Sequence, residues 1–265
     1  MTPSPPPPLF PDGRYVEVPG ARLWVADTGG SGEAVVLLHS AVGSVPHWSY
    51  QLGPFAEAGY RVIAFDRRAH GRSEELTPAD GDPSVSDCVA LLHELGIRRA
   101  HVVGTAQGGR VAVELTLAAP SSVATLALIA SSGGVQLPSR VPDAPPLMPP
   151  GFTSLPTWFT ELGASYRSTD PEGTLRWISL GNEHPVGLAA PATRIDTADL
   201  ATIRAPVLLL GGDADGFTPP PMLRRLAPLF RDARITILPE CGHSPQWECP
   251  GEFNSELLRF FQAHA

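Results

Sequence analysis

A chain of 265 residues, 43% hydrophobic and 17% charged with a mean hydropathy of +0.01, is long enough to bury one large core. It is too apolar for a disordered chain and far too polar for a membrane protein. Nineteen Lys and Arg against 27 Asp and Glu leave a formal charge of -8, so nothing draws the chain as a whole to polyphosphate or anionic lipid, and neither nucleic acid nor a membrane is an expected partner. Cys88, Cys241 and Cys249 are too few and odd in number for a disulfide framework, and none has zinc-ligand spacing. These features fit a cytoplasmic protein for which no metal and no cofactor is expected.

In chain order, Met1 to Pro11 carries the run Pro5 to Pro8 with neither a basic start nor an apolar stretch, the pattern of a polyproline-like tail and not of a signal peptide. Arg14 to Val18 and Arg22 to Asp27, joined across Pro19-Gly20, read as an antiparallel hairpin at a sheet edge. Ala34 to His39, Arg61 to Phe65, Ala100 to Val103, Thr125 to Ala130, Pro206 to Leu210 and Arg234 to Leu238 are nearly continuous apolar runs. Such runs mark strands covered on both faces. Helical spacing of apolar residues appears in Ser84 to Leu95, Gly109 to Ala119, Pro221 to Phe230 and Glu252 to Ala263. The alternation predicts an α/β fold with a mostly parallel sheet of about eight strands.

From Ser132 to Leu200 the alternation stops. Six prolines (138, 142, 145, 146, 149 and 150) precede Phe152, Trp158, Phe159, Tyr166 and Trp177. A stretch this long outside the sheet pattern reads as an inserted lid. The division expected is residues 1–12 as tail, 13–133 and 201–265 as one core domain, and 134–200 as a helical cap.

Three segments carry chemistry. Gly104-Thr105-Ala106-Gln107-Gly108-Gly109 closes a predicted strand and opens a helix, the setting of a G-x-S-x-G nucleophile elbow, whose glycines allow a strained turn. Ala106 stands where the nucleophile belongs, and a methyl group cannot attack. Thr105, beside the apex, points elsewhere and counts as structural. Gly211-Gly212-Asp213-Ala214-Asp215 then ends a strand in an acidic loop, and Cys241-Gly242-His243-Ser244 follows the last strand. Elbow, acid and histidine in that chain order, each after its own strand, form a far more specific signal than an isolated elbow.

On these residues the chain resembles the α/β-hydrolase superfamily, in particular its capped enol-lactonase-like, carbon–carbon bond hydrolase-like and epoxide hydrolase-like members. His39-Ser40-Ala41-Val42-Gly43-Ser44 resembles the family's HGxxGS loop, with Ser40 where glycine is usual. Asp66-Arg67-Arg68-Ala69-His70-Gly71-Arg72-Ser73 resembles its D-x-R-G-x-G-x-S turn, and Gly242 to Asn254 its GHxxxxExPxxFN ending. The resemblance implies oxyanion donors in the backbone N–H groups of Ala41 and Gln107, an acid at Asp215 with Asp213 as second choice, and His243 as the base. Arg67, Arg68 and Arg72 are expected to tie down their loop by salt bridges.

Ala106 leaves three readings open. The chain is a serine hydrolase carrying a Ser→Ala change; or the alanine is natural, as in GTAxGG elbows of part of the superfamily, and His243 with Asp215 works without a covalent intermediate as a lyase, decarboxylase, cofactor-free oxygenase or direct hydrolase; or the protein only binds a ligand. Retention of Asp215 and His243 argues against the last. The expected partner is a small, mainly apolar or aromatic carbonyl compound, cleaved at an ester, lactone or C–C bond. Trp48, Phe152, Trp158, Phe159, Trp177 and Trp247 are the candidate pocket walls. Nothing in the sequence sets an oligomeric state.

Overall fold

The protein, as a computed structural model, is described over residues 12–74, 82–137, 148, 150–181 and 194–265. The Met1 to Pro11 tail and prolines 138 to 149 lie outside the described residues.

Eight strands form one sheet in the order β1-β2-β4-β3-β5-β6-β7-β8. They are β1 (Arg14–Val18), β2 (Ala21–Asp27), β3 (Ala34–Leu38), β4 (Arg61–Phe65), β5 (Ala100–Thr105), β6 (Val123–Ile129), β7 (Val207–Gly212) and β8 (Ala233–Leu238). β1 pairs antiparallel with β2 and β2 with β4, while every pair from β4 through β3 to β8 is parallel. The expected edge hairpin and parallel interior are both present. β3, β5, β6 and β7 are buried at every position, which explains their nearly continuous apolar sequences, broken only by the buried His101, Thr105 and Thr125: with helices on both faces there is no solvent side to mark.

The helices are α1 (Ser49–Glu57), α2 (Ser84–Glu94), α3 (Gln107–Ala118), α4 (Thr157–Glu161), α5 (Ala164–Thr169), α6 (Pro171–Ser179), α7 (Thr197–Leu200), α8 (Pro220–Leu226), α9 (Pro245–Glu248) and α10 (Pro250–Gln262). One apolar cluster, including Val111, Leu115 and Leu223, lies on one side of the sheet, and another, including Phe55, Phe253 and Phe261, on the other. Burying each such aromatic is worth about 2 kcal/mol. α8 stops short of the helix expected to run to Phe230, and a 3-10 turn over Ala227–Leu229 follows. Pro228 has no N–H to continue the ladder.

Because the interior strands are parallel, the carboxyl ends of β3, β5, β7 and β8 emerge on one edge. The segments after them are the HGxxGS-like loop, the elbow, the acidic loop and the histidine loop. Open α/β sheets bind ligands at that edge. The 131–206 insertion between β6 and β7 supplies α4 to α7, and it meets the histidine loop through backbone bonds: His243 N–H donates to Glu161 O at 2.8 Å.

Candidate active site

Ala106 forms a single-residue turn between β5 and α3, at φ 47° and ψ −111°. This left-handed conformation costs a residue with a Cβ about 1 kcal/mol. The turn is held by Ala106 N–H to Ile129 O at 2.9 Å and by Ser131 Oγ–H to Ala106 O at 2.6 Å. Its glycines are required by contact: a Cβ on Gly104 would collide with the Gly108 backbone, one on Gly108 with the Leu38 and His39 carbonyls, and one on Gly109 with the Ser131 side chain. α3 is thereby pressed against both β5 and the loop after β3.

At the far side of the edge, Asp213 N–H bonds Leu238 O at 3.0 Å and Ala214 N–H bonds Cys241 O at 2.9 Å. These bonds join the acidic loop to the histidine loop. Asp215 is buried, and its carboxylate faces His243 Nδ1 at 2.9 and 2.8 Å while Oδ1 also accepts from the N–H groups of Phe217 (2.7 Å) and Thr218 (2.9 Å). Asp213 is exposed, so Asp215 is the acid that meets His243. The same carboxylate thus holds the turn over Phe217 and Thr218 as well as the imidazole, and it does not cap α8, whose N-cap is Pro219.

Burial disfavours a charged His243, but the attraction of Asp215, of Glu161 and of Glu248 outweighs it and raises the imidazole to about 9. His243 is therefore an imidazolium at neutral pH. Glu248, nearly fully buried, accepts from Gly163 N–H (2.8 Å) and Gly242 N–H (2.9 Å) on one oxygen and from Ser244 N–H (3.0 Å) on the other. Burial pushes this carboxyl up to about 7 despite those three donors. Sequence reasoning assigned no role to Glu161, Glu248 or Phe217, although Glu248 is the glutamate of the GHxxxxExP string. The Phe217 ring lies 4.7 Å from His243.

The loop after β3 places Ala41, and the start of α3 places Gln107, half-buried at the same edge, and among the described residues neither backbone N–H donates to a protein acceptor. Gln107 is the first residue of α3, where a helix leaves its N–H unpaired. Asp66, buried, accepts from Val45 N–H (2.6 Å) and Arg72 N–H (2.9 Å), pinning this loop to the turn after β4.

The six candidate wall residues divide. Phe152 packs against Phe217 at 5.3 Å and so stands one ring away from His243. Trp158 is half-buried, and Phe159, 41% exposed, carries the Arg167 guanidinium 4.2 Å above its ring. Trp48, Trp177 and Trp247 are each 1% exposed. They sit inside packed clusters, Trp247 and Trp177 with Tyr50, Leu162 and Tyr166, and offer no surface to a ligand in this conformation. The expectation for the three arginines holds only for Arg68, which pairs with Asp87 through two bonds of 2.8 Å. Arg72 stacks over Trp24 at 4.8 Å, and Arg67 meets only neutral acceptors.

Among the described residues no group of three His, Cys, Asp or Glu is placed to hold a metal, no helix is long and apolar enough to cross a membrane, and all three cysteines are free and buried.

A parallel sheet with an elbow, an acid loop and a histidine loop along one edge defines an α/β-hydrolase. Residues 35–256 match the model of the alpha/beta hydrolase family, and the chain belongs to that family as a hydrolase of the superfamily. Among its relatives, a 2-hydroxy-6-oxononadienedioate/2-hydroxy-6-oxononatrienedioate hydrolase of Burkholderia vietnamiensis is 29% identical over 275 residues, covering 91% of each chain. The 2-hydroxy-6-oxo-6-phenylhexa-2,4-dienoate hydrolase of Comamonas testosteroni is 28% identical over 261 residues, 88% of this chain and 89% of that one. Among solved structures, the N-acyl homoserine lactone degrading enzyme Est816 superposes with a TM-score of 0.75 at 26% identity, covering 94% of this chain and all of that one.

Proposed function

We propose that this chain cleaves a small, mainly apolar or aromatic carbonyl compound, at an ester, lactone or C–C bond, beneath a cap formed by residues 134–200. His243 oriented by Asp215 serves as the acid–base group, and the backbone N–H groups of Ala41 and Gln107 serve as oxyanion donors. The observation that carries the reading is the buried His243–Asp215 pair, 2.8 Å apart, at the same sheet edge as two unengaged N–H donors. A ligand-binding protein needs neither arrangement. The Phe152–Phe217–His243 ring series supplies an apolar wall beside the base, and the two relatives are, by their names, hydrolases of oxo compounds.

Ala106 favours a noncovalent course, in which neutral His243 takes a proton from water or from an acidic C–H, and the oxyanion donors hold the alkoxide or enolate. Lyase, decarboxylase and cofactor-free oxygenase chemistry would use the same pair. The deciding experiment is an ester, enol-lactone and vinylogous diketone screen on three proteins. Turnover by the chain as it stands, abolished in His243→Ala and not raised by Ala106→Ser, establishes the noncovalent course. Ester turnover appearing only in Ala106→Ser identifies position 106 as a vacant nucleophile site. No turnover by any of the three overturns the proposal.

A further inference from the structure

Arg67 follows β4, is 2% exposed, and has no carboxylate of a described residue within ion-pair distance. Burying a guanidinium without a counter-ion is costly. Burial lowers its pKa to about 10 against the attraction of Asp82, a carboxylate beyond ion-pair distance, so it is a cation at neutral pH. Its Nη2 lies 3.2 Å from Ser40 O, 3.1 Å from Gln107 Oε1 and 3.3 Å from His70 Nε2.

Two of these acceptors belong to the segments that present the candidate oxyanion donors. The Ser40–Ala41 peptide is trans, so its C=O and N–H point in opposite directions. Whatever grips Ser40 O aims Ala41 N–H the other way. Three donors grip it: His39 Nδ1 at 2.7 Å, Arg67 Nη2 at 3.2 Å and Gly43 N–H at 3.2 Å. Arg67 also sets the first of these, because its backbone N–H donates to His39 Nε2 at 3.0 Å. That leaves Nδ1 as the protonated nitrogen, able to donate to Ser40 O. The same Nη2 holds the side chain of Gln107, whose own backbone N–H is the second donor. The loop after β3 and the start of α3, distant in sequence, therefore share one guanidinium.

We propose that Arg67 is the positioning residue of the oxyanion site, a single buried cation that orients the Ala41 and Gln107 N–H groups together and polarises that of Ala41 toward a developing negative charge. The proposal rests on the assignment of those two N–H groups as oxyanion donors. A carbonyl that accepts from a cation makes the N–H of its own peptide a stronger donor, so the charge contributes beyond geometry. A purely structural loop tie would be served better by a carboxylate partner, such as Arg68 has in Asp87.

The test uses backbone amide NMR of the protein with Ala106 in place, with benzoate as an anionic aromatic probe. Arg67→Met is expected to move the amide resonances of both Ala41 and Gln107 and to weaken benzoate binding about tenfold or more, in line with the loss of an oxyanion donor. Gln107→Ala, which keeps the backbone N–H, is expected to move the Ala41 amide in the Arg67 protein but not in the Arg67→Met background. A merely structural residue would not produce that coupling. Ala41 and Gln107 amides unmoved by Arg67→Met overturn the proposal. Should Arg67→Met not fold, Gln107→Ala alone decides: a moved Ala41 amide supports the proposal and an unmoved one overturns it. Failure of benzoate to bind any form would count against the proposed pocket, while the amide coupling would still decide the role of Arg67.

Discussion

Asn254 in α10 donates its side-chain N–H to the backbone carbonyl of Tyr50 in α1 at 2.8 Å. Tyr50 O is the acceptor left without an intrahelical donor by Pro54, four residues on, because proline has no N–H. Asn254 Oδ1 in turn accepts from Gln51 Nε2 at 3.0 Å, and both residues are buried. Asn254→Ala is expected to leave the buried Tyr50 carbonyl unpaired and to take away one of the two acceptors of the Gln51 amide, whose Nε2 still reaches Gln246 O at 3.0 Å, lowering unfolding free energy by about 2 kcal/mol. Denaturant midpoints measure it, and a loss under about 0.5 kcal/mol would show that water replaces the side chain.

The same contact explains what the sequence hid. The strands were legible because burial on both faces leaves continuous apolar runs such as Val35 to Leu38. α1 was not, since Gly53 and Pro54 are helix breakers by local preference and only Asn254, two hundred residues later, makes Pro54 tolerable. α4, α5 and α6 are five to nine residues long, too short for periodicity to register. The acidic loop and His243 could be named from chain order, and Asp215 ahead of Asp213 from the family resemblance, whereas Arg67 could not: its partners are a carbonyl and an amide oxygen on distant segments, and neutral acceptors leave no charge pattern in a sequence.

The elbow conformation supplies a second prediction. Ala106 holds φ 47° although it has a Cβ, and glycine adopts that conformation without the steric cost. Ala106→Gly is expected to raise unfolding free energy by about 0.5 kcal/mol at most, steric relief of about 1 kcal/mol being largely offset by the greater unfolded-state entropy of glycine. Urea unfolding of the two proteins compares them. Destabilisation by Ala106→Gly would mean that contacts of the Ala106 methyl outweigh the backbone strain.

His243 makes stability depend on pH. Its folded pKa, about 9, lies above the ordinary 6.5, so the folded state holds the proton more tightly and stability must fall as pH rises between those values. The contribution is fully present below about pH 6.5, amounts to about 3 kcal/mol, and is gone above pH 9. Unfolding free energies measured from pH 6 to pH 9.5 should decline, and His243→Gln should flatten the decline above pH 7. An equally steep slope in that variant would assign the titration to another group. Proton abstraction by neutral His243 should likewise rise along a limb with a midpoint near pH 9.

Glu248 links the insertion to the histidine loop and gives the last prediction. Its two oxygens accept from Gly163 in the insertion and from Gly242 and Ser244 on either side of His243. All three partners are donors, so Glu248→Gln must turn its amide NH2 toward at least one N–H group, setting two donors face to face in a buried site. The expected result is a loss of about 2 kcal/mol in stability, together with faster hydrogen exchange at Gly163 and Ser244. The pH effect has a definite sign. Because burial holds the Glu248 pKa near 7, above the ordinary 4.5, ionising it on raising the pH from 4.5 to 7 costs folded-state stability, and Glu248→Gln removes that slope. Glu248→Asp, one methylene shorter, keeps the acceptors but not their reach, and should restore the pH slope without restoring exchange protection at Gly163. Unchanged exchange at Gly163 in Glu248→Gln would mean that the insertion is held on the core by its other contacts, the Glu161 carbonyl on His243 N–H first among them.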